Sequence, residues 1–155
     1  MMKYKIDKIE ESEYPEVVDV WEASVRATHH FLKAEDIEYF RSLILNEYLK
    51  AVDLKCVRDS KRKIVGFLGV VEQNIEMLFI HPKILGKGIG KILLKYALEE
   101  LNVTKVDVNE DNEQAVGFYE HFGFKTITRS ELDGSGKPYP TLHMMLEQTK
   151  TIVNK

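Results

Sequence analysis

The chain has 155 residues, 44% hydrophobic and 30% charged, which is the composition of an ordinary globular domain and not of a disordered or coiled-coil chain. Its 22 basic and 25 acidic side chains leave a formal net charge of -3 and no long basic face, which argues against a nucleic-acid partner. The single cysteine, Cys56, excludes an internal disulfide, and there is neither a signal-peptide core nor a membrane-spanning apolar run, so a cytoplasmic protein with no membrane partner is expected.

Residues 3–9 alternate apolar and charged side chains and predict a first, half-buried strand. Ser12 and Pro15 open a helical pattern whose stripe, Val17, Val20, Trp21 and Val25, ends near Ala27. A second helix is predicted over 35–50, with Ile37, Phe40, Leu43, Ile44 and Tyr48 or Leu49 on one side, and the stretch from Thr28 to Leu32 lies between the two. Residues 54–58, 64–72 and 75–81 read as three consecutive strands separated by polar turns. The period then changes to 3.6 over Ile89, Ile92, Leu93, Tyr96, Ala97 and Leu101, a helix opening directly behind a glycine cluster. A short strand around Val106 and Val108 and a helix over 112–122 follow. Two last strands, 124–129 and 142–146, flank a loop bearing glycine and proline.

The glycine cluster, Gly86-Lys87-Gly88-Ile89-Gly90, joins a strand to the first turn of a helix, the layout of an anion cradle. Backbone without Cβ atoms lets a phosphate come close, and the unpaired N–H groups of the first turn point at it with the helix dipole behind them. First turns ordinarily attract Asp or Glu, yet this one carries Lys87 and Lys91, a charge that asks for an external anion. The spacing matches neither the nucleotide triphosphate loop nor the dinucleotide fingerprint, which leaves another pyrophosphate. Asn112 reads as a helix N-cap, and Tyr119, seven residues on, lies along the same helix face about 10 Å away, so that one extended ligand reaches both. Each of these features also has an ordinary structural reading: a tight turn, a cap, a core tyrosine.

Together they resemble the GNAT family of N-acetyltransferases. Leu78-Phe79-Ile80-His81-Pro82 running into Gly86-Lys87-Gly88-Ile89-Gly90 is similar to that family's coenzyme A-binding motif, and Asn112 through Phe118-Tyr119 to Gly123-Phe124 resembles its other signature. Trp21, Ser24, Ala27-Thr28-His29, Phe31-Leu32 and Gly136-Lys137-Pro138-Tyr139-Pro140 resemble a bacterial subgroup. The resemblance implies one α+β domain over residues 1–148 with a short tail over 149–155. Its sheet would be mostly antiparallel and twisted, of about seven strands splayed between the fourth and fifth, flanked by about four helices.

It further implies acetyl-coenzyme A as co-substrate, an amine as acceptor, no metal, and, at the level of the family, a homodimer. Cofactor binding falls to Leu78, Phe79, Ile80, Gly86, Lys87, Gly88, Ile89, Gly90, Lys91 and Asn112, and thiolate protonation to Tyr119. One position departs: where the family usually has Arg or Gln there is Leu85, with Lys83 or Lys87 expected to supply the missing contact.

An alkyl ammonium of pKa about 10.4 must lose a proton before it attacks a thioester, so a base is needed. Asp107, Glu76, Glu110, His29 and His30 are the candidates, and Asp107 matches the base position of some family members. His81, His121 and His143 show no metal-ligand spacing. A non-catalytic coenzyme A-binding module and another phosphate-ligand enzyme are the competing functions.

Overall fold

The computed structural model describes residues 4–147, which form two compact units, one extending to Val103 and the other beginning at Thr104. The tail expected over 149–155 lies outside the described residues.

In the first unit, β1 (Lys5–Lys8), β2 (Asp53–Arg58), β3 (Ile64–Val71) and β4 (Asn74–Ile80) pair antiparallel in chain order. Every residue of β3 from Ile64 to Val70 is buried, because helices cover both faces of this strand; hence its sequence reads as an unbroken apolar run rather than an alternation. On one side lies α1 (Tyr14–Thr28), opened by a proline near its first turn, where the missing N–H costs nothing. Its apolar stripe of Val17, Val18, Val20, Trp21 and Val25 packs with Phe67, Cys56 and Met77. The other helix is α3 (Ile89–Glu100), which buries Ile89, Leu93, Leu94 and Ala97. It docks where β3 carries Gly66: a Cβ there would stand 3.0 Å from Ile89 Cγ2 and 3.3 Å from the Phe79 carbonyl oxygen. The backbone approach that places the start of α3 beside the end of β4 therefore depends on the absence of that one carbon.

The helix expected over 35–50 is present with a fault in it. α2 (Ala34–Leu43) gives way to a π-helical turn over Ile44–Tyr48 and one last α turn, Leu49–Ala51. The wider turn rotates the apolar face so that Ile44 and Leu49 are both buried at a spacing of five, one more than an α-helix allows on a single stripe.

The second unit is an antiparallel sheet in the order β5 (Lys105–Asn109), β7 (Thr141–Leu146), β6 (Phe124–Ser130), with α4 (Glu113–His121) packed on one face. Alternation sends Val106, Val108, Met144 and Phe124 into the buried layer under Tyr119 of α4. The opposite row of β5, Asp107 and Asn109, stands beside His143 and Thr141 of β7 on the more open face.

Candidate active site

The glycine turn is built as its residue types require. Gly86 and Gly88 have φ of 84° and 82°, the left-handed region that disfavours any side chain, and nothing lies within 4 Å of where a Cβ would point, so the space above the turn is open. Helix α3 begins at Ile89 with no side-chain cap and no acid in its first turn. Its first intrahelical bond runs from the Ile92 N–H to the Gly88 carbonyl at 3.0 Å, so the amides of Ile89, Gly90 and Lys91 have no acceptor within the helix. Lys87 and Lys91 are exposed beside them, while the Ile89 side chain is buried and offers only its backbone. Three amides without helical acceptors, two ammonium groups and no carboxylate suit a diphosphate.

On β4, the His81 N–H donates to the Val65 carbonyl at 2.8 Å, and strand alternation then turns the Phe79 amide toward β3 and those of Leu78 and Ile80 away from it. The Phe79 ring lies 6.3 Å from the His29 ring, which also meets Phe31 at 5.1 Å. Thr28 has one hydroxyl hydrogen and gives it to the Ser24 carbonyl at 2.8 Å; its Oγ1, 2.7 Å from His29 Nδ1, must therefore accept, so Nδ1 carries the proton and Nε2 is the lone-pair side. Burial first, then the neighbouring His30, pushes the His29 pKa down to about 4, so the ring is neutral at physiological pH. His30 itself is exposed.

In the second unit, Asn112 caps α4 by accepting the Ala115 N–H at 3.2 Å, the ordinary role that its position predicted. Tyr119 is 5% exposed, with its ring against Phe118 and Phe124. Its hydroxyl has no hydrogen bond among the described residues, and no sealed-off polar side-chain atom among them lacks a partner, so this hydroxyl is not sealed from solvent. Burial holds the phenol above its ordinary pKa, fully protonated at neutral pH.

Of the carboxylates expected as bases, Glu110 is committed to Arg129 through two 2.9 Å contacts, which hold its pKa below the usual range. Glu76 is exposed and accepts a hydrogen bond from the Asn74 amide. Asp107 Oδ1 lies 2.7 Å from His143 Nδ1, and His143 Nε2 lies 2.7 Å from Ser130 Oγ. No local spacing marks His143, because its partner is 36 residues away and becomes a neighbour only through the register of β5 and β7. Among the described residues no three His, Cys, Asp or Glu side chains are grouped to hold a metal ion, and no helix is long and apolar enough to cross a membrane.

Residues 26–146 match the sequence profile of the acetyltransferase (GNAT) domain. Over 143 residues the chain is 39% identical to the peptidyl-lysine N-acetyltransferase YjaB of Escherichia coli strain K12, covering 92% of this chain and 97% of that protein. The solution structure of apo YjaB superposes with a TM-score of 0.84 at 38% identity, covering 96% of this chain and all of that one. The PaiA N-acetyltransferase of Thermoplasma acidophilum, solved with coenzyme A, shares the fold at 20% identity, with a TM-score of 0.70 over 94% of this chain and all of that one. The seven strands and four helices are thus those of the expected α+β fold.

Proposed function

The chain belongs to the GNAT family of acetyltransferases, and from that premise we propose that it carries the acetyl group of acetyl-coenzyme A to a lysine side chain of a protein or peptide, by direct attack. The lysine acceptor draws support from the likeness to a peptidyl-lysine enzyme across almost the whole of both chains. The observation that carries the transfer itself is Tyr119: a phenol, proton-bearing at neutral pH, whose hydroxyl has no hydrogen bond to satisfy among the described residues. A module that had only to bind the cofactor would gain nothing from such a group, whereas a departing thiolate needs one.

In this reading the amides of Ile89, Gly90 and Lys91 hold the diphosphate, with Lys87 adding charge. The amides of Leu78 and Ile80, turned away from β3, receive the thioester carbonyl and the charge that grows on its oxygen. Asp107 is the base. His29 is packed beside the Phe31 and Phe79 rings, where burial disfavours the imidazolium that a base must become; Glu110 is held by Arg129, and Glu76 is bonded along its own strand.

The protons then balance. The acceptor ammonium gives one proton to Asp107 before its nitrogen attacks, and the attached nitrogen gives up a second as the adduct collapses; the C–S bond breaks, the Tyr119 proton goes to sulfur, and that second proton restores the phenol. One proton per turnover is released to solvent. The reading also takes the protein as a cytoplasmic homodimer, in which the single thiol, Cys56, stays reduced and a partner copy would cover the exposed apolar side chains Ile127 and Met145.

The experiment is thiol release from acetyl-coenzyme A with a panel of lysine peptides, free N-termini and small amines, with mass detection of the product. Tyr119→Phe is expected to lower kcat by about 100-fold or more while leaving the coenzyme A dissociation constant and Tm in place, because the lost hydroxyl had no internal partner. A Tyr119→Phe enzyme as fast as wild type removes the proton-donor assignment.

A further inference from the structure

We infer that His143 is the positioning residue of the Asp107 base, with Ser130 setting its tautomer; this rests on the reading of Asp107 given above. The three side chains come from three strands, and the register puts Asp107 directly opposite His143 on one face. A carboxylate can only accept, so the 2.7 Å contact to Asp107 Oδ1 fixes the hydrogen on His143 Nδ1. In the neutral ring Nε2 then offers a lone pair, and the Ser130 hydroxyl, 2.7 Å away, donates to it.

If the ring takes up a proton, Nε2 becomes a donor and the same hydroxyl turns to accept. Both states keep both hydrogen bonds, and one ring proton and a hydroxyl rotation separate them. They are not equivalent for Asp107. A neutral imidazole holds the carboxylate in one orientation with its charge intact, ready to take a proton; an imidazolium pairs with that charge and removes its basicity.

Few charged groups share the face of the trio. Alternation places Lys105 of β5 and Lys125 of β6 on the same side, the latter paired with Glu147 at 3.6 Å. Glu110, Arg129 and Glu131 close on one another, and α4 lies against the opposite, apolar face. The Asp107 and His143 side chains keep 36% and 39% of their exposure, and a pair so open adds little to stability. Three strands therefore converge on a geometry that folding alone does not need.

The test compares pH profiles of kcat/KM for wild type, His143→Asn, His143→Ala and Asp107→Asn. The Asn amide can donate from the place of Nδ1 but cannot titrate. His143→Asn is expected to hold the rate at pH 8 within about 3-fold while its acid limb moves to lower pH; His143→Ala loses about 10-fold, and Asp107→Asn about 100-fold or more. An acid limb in His143→Asn that overlies the wild-type one overturns the inference. Asp107→Asn at full rate removes the base and this inference with it, whereas an inactive Asp107→Asn beside an unaltered His143→Ala removes the inference alone. Nitrogen-15 spectra of the imidazole provide a reading that needs no substrate: the Nδ1–H tautomer is expected in wild type and is weakened in Ser130→Ala, and an Nε2–H tautomer in wild type would refute the assignment.

Discussion

His29 shows how much of a residue's chemistry is decided by its neighbours. Its position in the segment between two helices was legible, and so was its candidacy as a base; its neutrality was not, because that depends on the Phe31 and Phe79 rings packed beside it, the second supplied by a strand fifty residues later. A ring whose pKa is about 4 in the folded protein and about 6.5 unfolded binds fewer protons folded than unfolded between those values. Its contribution to stability is therefore complete above pH 6.5 and is lost as the pH falls toward 4, by about 3 kcal/mol at most, since the ring keeps some solvent contact. His29→Asn, whose amide can still donate to Thr28, removes that dependence. Denaturant midpoints of the two proteins should differ more at pH 7.5 than at pH 4.5, with wild type losing about 2 kcal/mol of its advantage on acidification. An advantage of the same size at both values would mean that the ring is not held neutral by burial.

At the scale of elements the glycine-led helix was the most legible part of the chain, because the residues that make it an anion site also make its geometry: Gly86 and Gly88 are needed for positive φ, and the absence of acids leaves the amides to a ligand. Of the predicted stripe Ile89, Leu93 and Ala97 are buried while Ile92, Tyr96 and Leu101 are half-buried, and Leu94, outside that stripe, is buried too; the helix itself followed from period. The π turn at Ile44–Tyr48 did not, since a continuous apolar stripe and a stripe shifted by one residue look alike until Leu49 is seen to be buried. The first strand, by contrast, was announced by the alternation over 3–9, and it pairs over Lys5–Lys8 against β2. What remains to be tested in α3 is charge. Leu85 is 48% exposed and offers no polar contact where the family usually has Arg or Gln, and Lys83 and Lys87 are exposed nearby in sequence. Lys87→Ala is expected to weaken coenzyme A binding by about 5-fold at low salt and less at high salt, Lys83→Ala by a smaller factor, and Leu85→Arg to strengthen it, as calorimetry would read. Unchanged constants in both lysine variants would show that backbone amides alone hold the diphosphate.

For the whole molecule, the sequence motifs named the chemistry but not the pairings that organise it. Asp107, Ser130 and His143 are scattered over 37 residues and become one hydrogen-bonded trio only through the registers of three strands, including the irregularity between Thr126 and Thr128. No period in the sequence carries a register, whereas local signals such as the Asn112 cap survive translation into structure unchanged. The competing identity, a different phosphate-ligand enzyme on the same glycine turn, is likewise a question for the intact protein, because a ligand that binds only the native state stabilises it by mass action. At about 100 times its dissociation constant such a ligand adds about 2.7 kcal/mol, and for a chain of this length that raises Tm by roughly 5–10 °C. Coenzyme A and acetyl-coenzyme A are expected to produce this shift in wild type and in Tyr119→Phe alike, since the phenol acts on the leaving thiolate and not on the bound diphosphate. Adenosine triphosphate and a nicotinamide dinucleotide at the same concentration should leave Tm within about 1 °C, because neither the triphosphate-loop nor the dinucleotide spacing is present at residues 86–91. A shift with either nucleotide as large as that with coenzyme A would place a different cofactor on this turn and displace acetyl transfer as the protein's reaction.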